Sequence, residues 1–162
     1  MNIPNFLTLL RILLVPLVVI FLIDGAFLKA LITFFVCGIT DALDGFLARV
    51  LNQKTILGSY LDPIADKALL VSCFLTLSIE GVIPGWLTVV VISRDVIILT
   101  GTFVLFMMSV SFEIKPILIS KVTTALQIMT VLLVLVLKSL PGSFDYSWIL
   151  FLYWITALFT MV

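Results

Sequence analysis

The 162-residue sequence contains no histidine and only two cysteines, so the side chains that most often bind zinc and haem are almost missing. Charged residues are also scarce, at 11% of the chain, whereas soluble domains carry about a quarter. Nine basic residues balance nine acidic ones, which gives no reason to expect a nucleic acid partner. This composition leaves no plausible zinc or haem site and argues against a soluble domain.

Apolar residues are abundant instead, at 63% of the chain with a mean hydropathy of +1.37. They form runs of the length that crosses a bilayer, about 17 to 25 residues, and the runs lack the alternation of barrel strands. We therefore predict an all-α, polytopic membrane protein with six transmembrane helices. The predicted spans are residues 6–23, 28–50, 60–79, 86–108, 116–137 and 146–162.

The six spans leave no room for a soluble domain, so residues 1–162 are predicted to form a single membrane domain. Residues 2–6 mix polar and apolar side chains and are expected to lie along the membrane interface before the first span. Basic residues favour the cytoplasmic side of a membrane. If the N-terminus lies inside the cell, five basic residues lie on the cytoplasmic side, and Lys29 and Lys138 lie outside. The five cytoplasmic residues are Arg49, Lys54, Lys67, Lys115 and Lys121.

Four of the nine acidic residues, Asp41, Asp44, Asp62 and Asp66, fall within 26 positions of this apolar sequence. Spacings of three and four residues keep each pair on one face of a helix, and the two faces can meet. A carboxylate costs roughly 2.5 to 3.5 kcal/mol at mid-membrane, and a second negative charge nearby raises the cost. The cluster must therefore be protonated, paired with cations or bound to metal.

Nearby basic residues are too few and too dispersed to neutralise four acids. Two divalent cations would supply the matching charge, and oxygen ligands select Mg²⁺ or Mn²⁺. Such metal pairs bind phosphates and assist displacement at phosphorus, while Gly45, Ala48 and Gly58 allow close approach of a helix or a phosphate. The pattern predicts phosphoryl transfer on a lipid. Solvated helix ends with ordinary ion pairs remain the alternative.

Residues 41–66 read D-x2-D-G-x2-A-R-x8-G-x3-D-x3-D, which matches the signature of the CDP-alcohol phosphatidyltransferase family. The segments NIPNFLTLLRILLVP and LDPIADK resemble the bacterial phosphatidylglycerophosphate synthases of that family, and the likeness covers essentially the whole chain. The resemblance implies transfer of a phosphatidyl group from CDP-diacylglycerol to an alcohol, with release of CMP. It also implies a homodimer in the bacterial inner membrane, with an active site that faces the cytoplasm.

The resemblance assigns roles to single residues. It makes Asp41, Asp44 and Asp62 metal ligands, and Asp66 both a ligand and the base that takes the proton of the attacking hydroxyl. It also implies contacts with the CDP-diacylglycerol from residues of the first and second spans and of the loop that follows. These predicted contacts are Asn5, Thr8, Gly45, Arg49 and Thr55.

Arg94 and Lys121 lie well inside predicted spans, where a basic group needs a partner or a ligand. Arg94 could pair with Asp95 while Lys121 extends to the interface. Alternatively both bind the phosphate of an acceptor, with Lys115 near the entrance. The SRD and KVTTALQ segments are similar to family members that use glycerol 3-phosphate. An inositol phosphate acceptor, phosphatidylglycerol as acceptor to form cardiolipin, and a divalent cation transporter are the alternatives.

Overall fold

The structure is a computed structural model that describes residues 3–50, 56–107, 118–140 and 146–161. Throughout these residues the regular structure is helical, as six α-helices, so the predicted all-α class and helix number are confirmed. The helices are α1 (Ile3–Ile23), α2 (Phe27–Val50), α3 (Ile56–Ile79), α4 (Gly85–Met107), α5 (Leu118–Ser139) and α6 (Tyr146–Met161).

Two helices begin earlier than the apolar runs predict. Helix α1 is continuous from Ile3, so residues 3–6 belong to the first helix and do not form a separate interfacial segment. Pro4 is compatible with this start because N–H groups in the first turn of a helix have no acceptor within the helix, so proline loses no hydrogen bond there. Helix α3 begins at Ile56, four residues before the predicted span, and Pro63 therefore lies beyond its first turn.

Two glycines end α1 and α3 in the same way. Gly25 and Gly81 have φ angles of 67° and 68°, in the left-handed region that other residues avoid. In each turn the residue after the glycine donates its N–H five residues back along the chain, from Ala26 to Phe21 and from Val82 to Leu77, both at 2.8 Å. This Schellman arrangement satisfies the last carbonyl groups of the helix and reverses the chain within a few residues.

Helix packing places α1 against both α2 and α3, and α5 against α2, α3 and α6. Helix α4 packs on α3 and α6. Large apolar side chains fill the shared core, and Cys37 and Cys73 lie among them as free, buried thiols, which agrees with a packing role. The fully buried apolar side chains include Val18, Leu22, Phe74, Leu77, Leu87, Val91, Val131 and Leu135.

The outer surface of the described helices is rich in exposed large apolar side chains, such as Leu13, Ile79 and Ile97. By length and composition, one stretch within the described residues, Val122–Ser139, could cross a membrane. Thr8–Ile23 and Ile149–Met161 are apolar but shorter. The six helices thus match the prediction in number, while this criterion supports a span in α5 alone among the described ranges.

Candidate active site

Arg11 joins the first three helices. Its Nη1 donates a hydrogen bond to Oδ1 of Asp66 on α3 at 2.7 Å and forms an ion pair with Oδ1 of Asp41 on α2 at 2.8 Å. The arginine side chain is 0% exposed, whereas those of Asp41 and Asp66 are 45% and 40% exposed. One buried guanidinium therefore holds two carboxylates that remain accessible at the surface of the helix bundle.

The sequence of α1 explains why this arginine turns inward. Arg11 is the only charged residue between Ile3 and Ile23, and Thr8 lies one turn before it on the same face. Both side chains are buried where α1 packs against α2 and α3. A buried guanidinium requires charged partners, which the two aspartates supply. Thr8, predicted to contact the nucleotide, thus lies on the face of α1 that meets the acidic residues.

The acidic pair has a geometry suited to holding positive charge. Because both Oδ1 atoms bond the same nitrogen, they are at most about 5.5 Å apart, the sum of the two contacts. Oxygens from two helices at this separation can share a hard divalent cation after small side-chain adjustments, since Mg²⁺ binds oxygen at about 2.0 to 2.1 Å. Partly exposed, all-oxygen donors therefore fit Mg²⁺ or Mn²⁺.

Asp44 and Asp62 are placed by their helices. Helix α2 is continuous through Asp41 and Asp44, and α3 is continuous through Asp62 and Asp66, so spacings of three and four put each pair on one face. The side chains of Asp44 and Asp62 lie outside the described set. Within the described set, no three acidic, histidine or cysteine side chains form a group that could hold a metal ion. The four-ligand site stays a prediction.

The remaining predicted contacts are described only in part. Gly45 and Arg49 lie on α2, Asn5 on α1 and Lys121 on α5, but their side chains are outside the described residues. Thr55 and Lys115 lie outside the described ranges altogether. Their assignments to the nucleotide and to the acceptor stay predictions.

A second charged cluster lies between α3 and α4. Oδ1 of Asp95 accepts hydrogen bonds from Lys67 Nζ at 2.6 Å and from Arg94 Nη1 at 2.9 Å. Asp95 is 2% exposed, and its Oδ2 is buried without a hydrogen-bond partner among the described residues. Arg94 therefore pairs with Asp95, which was one of the two interpretations of this arginine. In the part of the chain that the structure describes, both basic side chains contact this one carboxylate oxygen.

Helix α5 presents a buried polar stripe to the bundle. Thr123 donates to the carbonyl of Phe159 at 2.8 Å, and the hydroxyl of Thr130 bonds that of Thr156 at 2.8 Å, so two members of the stripe are paired with α6. Gln127 lies between them and is fully buried. Neither its Oε1 nor its Nε2 has a partner among the described residues.

Sequence reasoning missed the role of Arg11 and the pairing of Lys67 with Asp95. The signal for Arg11 was present, because an isolated arginine in an otherwise uncharged apolar run must find a partner. Lys67 was counted only as a cytoplasmic charge. Its neighbour Asp66 faces Arg11, and successive helical residues point about 100° apart, which turns Lys67 toward α4.

Among the described residues, the two clusters form two halves of the site: one has two carboxylates at Arg11, and the other has two basic side chains at Asp95. On one side of α3, Asp41 and Asp66 contact Arg11 and keep carboxylate oxygens that are accessible from outside the protein. On the adjacent side, Lys67 and Arg94 both donate to Oδ1 of Asp95.

Comparison with known proteins agrees with the motif. The family model of the CDP-alcohol phosphatidyltransferases matches residues 1–162. A CMP-forming cardiolipin synthase from Rattus norvegicus is 38% identical over 146 residues, which cover 80% of this chain and 48% of the relative. The chain spans about half the length of the cardiolipin synthases that it matches.

Two bacterial relatives are named CDP-diacylglycerol–glycerol-3-phosphate 3-phosphatidyltransferase. The protein from Haemophilus influenzae is 43% identical over 104 residues, which cover 60% of this chain and 55% of the relative. The protein from Wigglesworthia glossinidia brevipalpis is 36% identical over 138 residues, or 81% of this chain and 75% of the relative. The motif, the whole-chain match and these identities lead to one conclusion: the chain belongs to the CDP-alcohol phosphatidyltransferase family.

Proposed function

We propose that this protein transfers a phosphatidyl group from CDP-diacylglycerol to glycerol 3-phosphate, giving phosphatidylglycerophosphate and CMP in phospholipid biosynthesis. The observation that carries the proposal is the meeting of Asp41 and Asp66 at Arg11, where α1, α2 and α3 join. These two residues are the first and last aspartates of the family motif. A second cluster, in which Lys67 and Arg94 donate to Asp95, lies on the adjacent face of α3.

The carboxylates would hold two divalent cations, Mg²⁺ or Mn²⁺, through Asp41, Asp44, Asp62 and Asp66. Cations bound there would neutralise the charge of the pyrophosphate and stabilise the departing CMP. Gly45, Arg49 and Thr55 would contact the CDP group, with Asn5 and Thr8 contributing from α1. The burial of Thr8 beside Arg11 supports this last position.

Asp66 would act as the general base. Its carboxylate is 40% exposed, so an incoming hydroxyl can reach it. As the acceptor oxygen forms its bond to the lipid-bearing phosphorus, the hydroxyl proton passes to Asp66 and the bond from that phosphorus to the CMP oxygen breaks. Arg11 would hold the carboxylate in place through the contact at 2.7 Å. The products are the new phosphodiester and CMP.

The half of the site at Asp95 supports a phosphorylated acceptor. Arg94 lies 16% exposed beside the carboxylate of Asp95, to which Lys67 also donates. Arg94, Lys115 and Lys121 would together bind the acceptor phosphate. Relatives named as glycerol-3-phosphate phosphatidyltransferases, at 35% to 43% identity, favour glycerol 3-phosphate.

Formation of cardiolipin, with phosphatidylglycerol as the acceptor, is the second candidate. It is favoured by the cardiolipin synthase from Rattus norvegicus, whose 38% identity extends over 80% of this chain. The chemistry at the metal-binding half would be the same for both acceptors. Phosphatidylglycerol is larger than glycerol 3-phosphate and carries a phosphate diester in place of a monoester. The residues that contact the acceptor would therefore decide between the two.

The protein would work as a multi-pass homodimer in the bacterial inner membrane. Exposed apolar side chains on the described helices support burial in lipid, because soluble monomers rarely carry such extended apolar surface. The distribution of basic residues supports a site that faces the cytoplasm. Both substrates fit this location, since CDP-diacylglycerol is a lipid and glycerol 3-phosphate is a soluble anion.

Purified protein in liposomes with CDP-diacylglycerol, Mg²⁺ and radiolabelled acceptors tests the function. We expect glycerol 3-phosphate to be converted to a labelled lipid with one CMP released for each product. Asp66→Asn should abolish transfer while the matched control Glu80→Gln, an exposed acid in the α3–α4 turn, keeps it. Excess chelator should stop the reaction and Mg²⁺ or Mn²⁺ restore it. Label in cardiolipin from phosphatidylglycerol alone would establish the second candidate instead.

A further inference from the structure

Gln127 is buried in the middle of α5 with an unbonded amide. Its side chain is 0% exposed, and neither Oε1 nor Nε2 has a hydrogen-bond partner among the described residues. A buried amide without partners lowers stability, because it has given up its hydrogen bonds to water and gained none from the protein. Such a group calls for a bound partner or for a second conformation in which it is bonded.

The neighbouring contacts on α5 hold Gln127 in the bundle. Thr123, one turn before it, donates to the carbonyl of Phe159, and the hydroxyl of Thr130, three residues after it, bonds that of Thr156. These contacts fix α5 against α6 on both sides of Gln127. Rotation of α5 therefore cannot bring the amide into contact with water outside the bundle, and a partner must reach it from within.

The position of Gln127 on α5 directs it toward the helices of the acidic pair. It shares a helix face with Val131 and Val134, which lie four and seven residues further on. Both valines belong to the apolar core that α5 shares with α2 and α3. These are the helices that carry Asp41 and Asp66. Gln127 therefore borders the same core one turn before Val131.

The direction of α5 brings the amide toward the level of the acidic pair. In the predicted six-span topology α5 runs in the same direction as α3, and its contacts with α6 show that those two helices are antiparallel. Gln127 is nine residues into α5 and Asp66 ten into α3, or about 14 and 15 Å along the axes. Side chains lean toward the N-terminus of their helix, so Gln127 leans toward the end of the bundle at which α3 begins.

We propose that Gln127 hydrogen-bonds the secondary hydroxyl of the acceptor and thereby selects a glycerol unit. This inference rests on the proposed phosphatidyl transfer and adds Gln127 as a specificity-determining residue. A hydroxyl both donates and accepts, so it matches a carboxamide, which has two N–H donors and a carbonyl acceptor. In glycerol 3-phosphate and in the headgroup of phosphatidylglycerol, this hydroxyl is next to the primary hydroxyl that would react at Asp66. The shared chemistry is a vicinal diol.

The access of the acceptor follows from the two side chains. The carboxylate of Asp66 is 40% exposed, so the reacting hydroxyl reaches it from outside the protein. The carboxamide of Gln127 is attached through three rotatable bonds and can turn toward a diol bound there while α5 stays in place. The hydrogen bond to the diol would then satisfy the amide that the fold itself leaves unbonded.

The experiment measures kcat/KM in liposomes for glycerol 3-phosphate and for 3-hydroxypropyl phosphate, which lacks the secondary hydroxyl. We expect the wild type to prefer glycerol 3-phosphate by about tenfold or more, because the analogue leaves the amide unbonded. Gln127→Leu should reduce this preference to within about twofold, since it removes the group that recognises the hydroxyl. Thr130→Val, which removes a hydroxyl from the same buried stripe, is the matched control and should keep the wild-type preference.

A second arm compares phosphatidylglycerol with phosphatidylpropanediol, the same lipid without the secondary hydroxyl. The arm that the wild type turns over should show the preference, and Gln127→Leu should remove it there. Gln127→Met, which keeps the length of the side chain, answers the same question if the leucine variant does not fold.

The outcomes separate this inference from the proposed function. If the wild type uses neither glycerol acceptor, the proposed function falls and the inference falls with it. If the wild type is active without a preference for the hydroxyl, or if the Gln127 variants keep the full preference, only the inference falls. Equal losses with both acceptors of an arm would show a purely structural role for Gln127 and would also overturn the inference.

Discussion

Replacing Arg11 with methionine should destabilise the protein strongly. Arg11→Met keeps an apolar side chain of similar length in the buried position. It removes a hydrogen-bonded ion pair with Asp66 at 2.7 Å and an ion pair with Asp41 at 2.8 Å. A hydrogen bond to a charged group contributes about 1.5 to 3 kcal/mol. Because Asp41 and Asp66 are nearly half exposed, water can replace part of each bond. We therefore expect a loss of about 2 to 3 kcal/mol in total.

The assay is thermal unfolding of the purified protein in detergent. For a chain of this size, 1 kcal/mol shifts the melting temperature by about 2 to 4 °C, so Arg11→Met should lower it by about 4 to 12 °C. Arg11→Lys should fall in between, because lysine keeps the charge but lacks the planar fork and is shorter. Lys138→Met, an exposed cation, should shift it by less than about 1 °C and serves as the control.

A double-mutant cycle with Asp66→Asn separates the ion pair from other effects of Arg11. We expect a coupling free energy of about 1 to 2 kcal/mol, since residues in direct contact usually couple by 0.5 to 3 kcal/mol. A coupling free energy near zero, with Arg11→Met no less stable than Lys138→Met, would refute the reasoning. It would mean that Arg11 does not join α1 to the acidic pair in the folded protein.

Three further predictions concern other parts of the fold. Gln127→Leu should raise the melting temperature, because it removes a buried amide without partners among the described residues; a lower value would contradict this. Gly25→Ala should lower the free energy of unfolding by about 1 to 2 kcal/mol, because the φ of Gly25 is 67°. Gly38→Ala should raise it by about 0.5 to 1 kcal/mol, because Gly38 lies inside α2 and an added Cβ would meet no atom within 4 Å. Asp24→Cys should react with an impermeant maleimide added outside intact cells, since both native cysteines are buried, and labelling only after permeabilisation would reverse the predicted orientation.

The sequence predicted what depends on local rules. Six apolar runs separated by turn formers gave six helices, and spacings of three and four residues put each acidic pair on one face. The structure brings Asp41 and Asp66 together as those faces predict. Helix starts at Ile3 and Ile56 were missed because an apolar run marks where a helix can be buried, not where its backbone hydrogen bonds begin.

Contacts between distant residues could not be read from spacing. Arg11 and Asp66 are 55 residues apart, and Lys67 and Asp95 are 28 apart. Their pairing depends on how α1 and α4 rotate against α3, which packing of the whole bundle decides. The isolated arginine inside α1 was a signal that the sequence analysis did not use, since such a group needs a partner. It did not indicate which of the four aspartates the arginine would meet.

Helix α3 links the two halves of the site because Asp66 and Lys67 are neighbours on a rigid element. Rotation of α3 that would strengthen the contact of Asp66 with Arg11 must also move Lys67 relative to Asp95. The ion pairs on the two sides of α3 therefore both restrain its rotation about its own axis. A single salt bridge would restrain this rotation from one side only. In the proposed reaction, a base at Asp66 would thereby be held at a fixed position against the incoming acceptor.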